Sequence, residues 1–117
     1  MKTFLNCAAQ GDVLIRRVDI LPLNISRLPP ENGVYVVAHS ETGHHHVIDA
    51  TDNVLWYSGD DSMVTYLEVV EATDQAECLL QHLRSYDTHE ALIIPPGIYE
   101  LRRQREHAPE GWRKVQD

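Results

Sequence analysis

The stretch "VYVVAHSETGHHHVIDA", residues 34–50, decides how the rest of the chain is read. Valine and tyrosine crowd "VYVVAH" (34–39), and both suit a pleated, half-buried surface. A second apolar run, "HHVIDA" (45–50), follows after "SETG" (40–43). Four residues are an allowed hairpin connection, and Gly43 can take a positive φ. The reading is an antiparallel hairpin in which His39 and His44 flank the loop as opposed residues. Side chains alternate along a strand, so His44 and His46 share a face with His39, and His45 takes the other. Opposed β-carbons lie about 5 Å apart and diagonal ones about 7 Å, so three imidazoles converge.

Working outward, short strands recur. "GDVLIRRVDIL" (11–21) ends at Pro22, and "RLPPENG" (27–33) is loop and turn. "NVLWYS" (53–58), "MVTYLEVVEA" (63–72), "ALII" (91–94), "IYELRRQRE" (98–106) and "WRKVQ" (112–116) complete the set, divided by "GDDS", "PPG" and "APEG". One segment breaks the pattern. In "TDQAECLLQHLRSYD" (73–87) apolar residues fall at 76, 79, 80, 83 and 86, the spacing of one helix face. Asp74 is a natural N-cap, with Glu77 at the third helical position. The expected fold is mainly β: a small antiparallel barrel or sandwich with one helix at about 74–86, in a single domain spanning 1–117.

Bulk properties bound the function. Hydrophobic residues make up 43% of 117, enough for one core, and the formal net charge is −8. Residues 102–117 hold five of the ten basic side chains, Arg102, Arg103, Arg105, Arg113 and Lys114, against three acids. The remainder is strongly acidic, which argues against general nucleic-acid binding. No apolar run approaches a membrane span, and the first residues lack a secretory leader, so a cytoplasmic location is expected. Cys7 and Cys78 lack CxxC spacing and read as free thiols. No GxSxG elbow, Walker loop or dinucleotide fingerprint is present.

The converging histidines carry the chemical signal. Zinc, nickel and iron all accept neutral imidazole, and catalytic centres often use three protein ligands with one position open. His39, His44 and His46 are the candidate ligands, and His89 can be delivered from a strand entrance. Glu41 and Glu90 are the candidate acid/base groups. His45 reads as a bystander, His82 as a boundary residue on the helix, and His107 as exposed. "ELRRQRE" (100–106) puts Arg103 and Arg105 on one strand face, a spacing able to grip a carboxylate or phosphate, or simply to keep an edge strand charged. Trp56, Tyr57, Tyr35 and Tyr66 either line a pocket or fill the β core. "GDDS" reads as a turn and lacks calcium-loop spacing.

Two resemblances add to this. His44 and His46 as an HxH pair, with "PPG" (95–97), resemble the two motifs of cupins, small metal-binding β-barrels. Glu100 stands where the second cupin motif has histidine, and no glutamate follows His46 at the distance the first motif has it. More closely, "QGDVLIRRVD" (10–19), "AHSETGHHHVI" (38–48) and "HEALIIPPGIYELRRQRE" (89–106) resemble a group of small, functionally uncharacterised bacterial and phage proteins. That resemblance implies recurrence of His39, His44, His46, His89, Glu90, Arg103, Gln104, Arg105 and Glu106. It implies no activity.

Two functions are therefore expected as alternatives. One is a β domain with a divalent metal (zinc, nickel or iron), capable of metal-assisted hydrolysis of a small molecule that the sequence does not name. The other is a non-enzymatic interaction or assembly module that binds protein or forms homo-oligomers through exposed strands.

Overall fold

Alternation of apolar side chains decides the architecture. In the strand Val13–Val18 the residues at 13 and 15 are buried, in Gly97–Arg103 those at 99 and 101, and in Val64–Val69 those at 67 and 69. A period of two gives each sheet one face for the core. The computed structural model describes residues 2–38, 45–74, 77–82, 91–103, 105–108 and 111–114; for His82 and the strands after residue 104 it describes the backbone alone.

Thirteen strands are present among the described residues: β1 (Lys2–Thr3), β2 (Cys7–Gln10), β3 (Val13–Val18), β4 (Ser26–Arg27), β5 (Val34–Ala38), β6 (His46–Asp49), β7 (Val54–Ser58), β8 (Val64–Val69), β9 (Cys78–His82), β10 (Leu92–Ile94), β11 (Gly97–Arg103), β12 (Arg105–Ala108) and β13 (Gly111–Lys114). One open sheet runs β1-β10-β9-β6-β5 and the other β2-β3-β11-β8-β7-β4, while β12 and β13 form a separate ribbon. Every pairing is antiparallel except β1 with β10. The all-β, sandwich-like fold agrees with the expected class, and the two principal sheets do not close into a barrel. No helix among the described residues is long and apolar enough to cross a membrane.

The core lies between the sheets. Tyr35, Ile48, Leu80, Leu92 and Ile94 from the first meet Ile15, Trp56, Leu67, Tyr99 and Leu101 from the second. Tyr35 stacks on Trp56 at 6.1 Å between ring centroids, so both aromatics belong to the packing.

The expected helix at 74–86 is corrected. Residues 78–82 form β9, which pairs with β10 on one side and β6 on the other. Cys78 and Leu80 are buried while Leu79 is only half-buried, an alternation of two. A short apolar run fits helix or strand equally by spacing, and here β10 pairs with residues 78–80 and β6 with residues 80–82.

The hairpin of β5 and β6 is present, with Val34, Tyr35 and Val36 opposite Asp49, Ile48 and Val47. That register is the expected one. It shifts by one residue at Ala38, which pairs with His46 across a bulge. The His39–His44 pairing lies outside the described residues.

Arg17 fastens the opposite end. Its Nε donates to the Leu5 carbonyl at 2.9 Å, Nη1 to the Pro96 carbonyl at 3.1 Å and Nη2 to the Tyr99 hydroxyl at 2.9 Å. The Tyr99 hydroxyl in turn donates to the Pro95 carbonyl at 2.6 Å. Gly97 has φ 153, and a Cβ there would collide with the Arg17 guanidinium. Gly97→Ala is expected to cost about 2 kcal/mol in urea unfolding, through backbone strain and displacement of Arg17. The same change in an Arg17→Ala background should cost less than half as much; an equal cost would show that the collision contributes nothing.

Candidate functional site

Among the described residues the buried polar and charged side chains are Gln10, Asp12 and His46, and the three meet. β2 and β3 are joined by the two-residue turn Gly11–Asp12, with Gln10 opposite Val13. Gly11 has φ 58, the conformation that the first central residue of a type II′ hairpin turn adopts. Because Val13 faces the core, Gln10 opposite it faces the core as well. His46 begins β6 in the other sheet, in phase with the buried Ile48. The cluster therefore joins the two layers at one end of the sandwich.

Its hydrogen bonds fix the imidazole tautomer. Gln10 Nε2 donates to the Leu80 carbonyl at 2.9 Å, which turns the amide oxygen towards His46. Gln10 Oε1 lies 2.9 Å from His46 Nδ1 and can only accept, so Nδ1 carries the proton. The other ring nitrogen, Nε2, faces Asp12 Oδ1 at 3.6 Å. That is longer than a direct N–H···O hydrogen bond. An imidazole nitrogen and a carboxylate oxygen at this span are both donors of a kind that a divalent cation accepts.

The expected site residues divide sharply. His46 is at the centre of the cluster. His39, Glu41, His44, His89 and Glu90 lie outside the described residues. His82 pairs in register with His46 across β6 and β9. Among the described residues no three His, Cys, Asp or Glu side chains come together as a metal-holding group. Gln10 and Asp12 are not among the expected site residues; the sequence places Asp12 only in the strand segment 11–21. A signal does exist: once "QGDV" is recognised as a glycine-first two-residue hairpin, Gln10 falls opposite the first inward valine.

The remaining candidates resolve simply. Asp61 closes its own turn, its carboxylate accepting from the Met63 amide at 2.9 Å. Cys7 is exposed and Cys78 buried, both as free thiols. Burial, with the Asp49 carboxylate adding to it, pushes the Cys78 thiol up to about 12, so it is no nucleophile near neutrality. Arg103 follows Tyr99 and Leu101 on the inner face of β11, and its Nη2 lies 3.2 Å from Met63 Sδ.

A family model described as "Domain of unknown function (DUF8820)" matches residues 9–104. None of the curated proteins and none of the solved structures compared with the chain matches it.

Proposed function

The chain belongs to the DUF8820 family of domains of unknown function, and we propose that it is a β-sandwich domain that binds a divalent metal ion at His46. One observation carries the reading: His46 is buried, its Nδ1–H is held by Gln10, and its Nε2 faces Asp12 Oδ1 at 3.6 Å. Two donors each about 2.1 Å from one ion, separated by that span, subtend roughly 110–120° at the metal, close to tetrahedral. Gln10 then has the part that carbonyl or carboxylate partners have in metal centres generally, fixing the tautomer and the ring plane of the ligand.

His39, His44 and His89 are the proposed further ligands, and zinc, nickel or iron the proposed ions. Glu41 and Glu90 are the proposed acid/base pair. With a position left for water, such a centre would supply metal-assisted hydrolysis, since a bound divalent ion brings water's pKa to about 7.

The test is metal content of protein purified without a histidine tag and loaded with zinc. Wild type should retain stoichiometric metal. Asp12→Asn should weaken zinc at least ~100-fold by removing a charged ligand, and Gln10→Ala about 10–100-fold by freeing the ring. Background metal in wild type, or unchanged affinity in Asp12→Asn with a native circular-dichroism spectrum, would overturn the reading. The second reading, an assembly module, would then take precedence. It draws on β5, a five-residue edge strand of apolar sequence that pairs only with β6 among the described strands.

A further inference from the structure

Between the sheets, at the end where β11 finishes, lies a cleft of about 190 Å³ walled by Leu28, Val36, Trp56, Met63 and Leu101, with Arg103 among its lining residues. Such a volume is slightly larger than the roughly 150 Å³ cavity that holds a benzene molecule. The walls are mainly apolar, with Ser62 and Thr65 the polar exceptions, and the charge is single in sign. Arg102, the other cation that lines the cleft, is paired with Glu100 at 3.5 Å. Arg103 is directed inward by strand alternation, and its guanidinium contacts a thioether, a weak acceptor. Among the described residues no carboxylate lies within ion-pairing distance of it. A half-buried guanidinium without a carboxylate retains its forked donors for an incoming anion.

We propose that this cleft binds a small organic carboxylate whose apolar body, about the size of one aromatic ring, lies against Trp56, Leu28 and Val36 while Arg103 holds the carboxylate. The proposal does not rest on the metal reading, and it holds or fails in metal-free protein. Charge complementarity selects the anion, and the apolar walls select against a bare inorganic one. Arginine is suited to the task because its planar fork matches both carboxylate oxygens, which the point charge of lysine does not.

Benzoate is the probe, titrated into metal-free protein and followed by amide shifts in two-dimensional NMR. Saturable shifts at Val36, Val37 and Leu101 are expected. Benzyl alcohol, the neutral counterpart, and acetate, the anion without a ring, should each bind at least ~10-fold more weakly. Arg103→Gln should weaken benzoate by a similar factor and leave benzyl alcohol unchanged, and Arg103→Lys should recover only part of the loss. Preservation of the amide spectrum in both variants checks that they fold. Equal binding of benzyl alcohol and benzoate, unaltered benzoate binding by Arg103→Gln, or no saturable shift at cleft residues would each overturn the proposal.

Discussion

A His46→Ala variant is expected to lose about 4 kcal/mol of folding stability in metal-free buffer, measured by urea unfolding. Two effects add. The ring is fully buried, so its removal leaves a cavity between sheets that cannot close freely, worth a few kcal/mol by analogy with other large-to-small changes. Gln10 also loses its 2.9 Å hydrogen-bond partner, and the Asp12 carboxylate loses the ring facing it. Leaving a buried polar group short of a partner costs about 1–3 kcal/mol. His46→Phe separates the two effects. It restores most of the volume and none of the polarity, so it should recover about half of the loss. Full recovery would mean that the polar cluster contributes nothing to stability, and the tautomer argument would lose its energetic basis.

The same cluster shows which parts of the structure were legible in the sequence. Strands were readable where alternation was long enough to repeat. "VYVVAH" gives β5 almost to the residue, and "NVLWYS" gives β7. Residues 73–87 failed because five apolar positions fit a helix face, and nothing local reports that β10 and β6 leave a gap only a strand can fill. That gap is a non-local fact. The Ala38 bulge is equally invisible, since one extra residue in a strand changes no composition.

The candidate site was half legible. Histidines in a row attract attention by residue type alone, and among the described residues His46 is buried. Gln10 and Asp12 sit 36 and 34 residues before it in sequence, beside a glycine, where polar residues ordinarily face water. Folding inverts that expectation, because the type II′ turn points the end of β2 inward. Gln10 is further tied to the Leu80 carbonyl of β9, the strand the sequence assigned to a helix. The misread element and the missed residue are thus connected, because the carbonyl that orients the Gln10 amide belongs to the strand that pairs with β6.

The second large effect is expected in alkali. Burial, then the Asp49 carboxylate, pushes the Cys78 thiol from an ordinary 9.0 up to about 12. The neutral thiol is the form the folded core accepts, and the unfolded chain ionises first. A group with a raised folded-state pKa contributes stability that is whole below the unfolded value and is lost as pH rises through the folded one. The window is therefore pH 9 to about 12. Across it, wild type should lose about 1.4 kcal/mol per pH unit through this group, approaching about 4 kcal/mol in all. Burial also raises the Tyr99 hydroxyl above its usual 10.0, though the Arg17 guanidinium works against it, so its contribution has the same sign. Urea midpoints measured from pH 8 upward in wild type and Cys78→Ala isolate the thiol. The variant starts lower, because a small cavity opens beside Leu80, but its stability should fall with a shallower slope above pH 9. Parallel slopes in the two proteins would mean that Cys78 ionises in the folded state as readily as in the unfolded one, and that the sheet interface around β9 admits water.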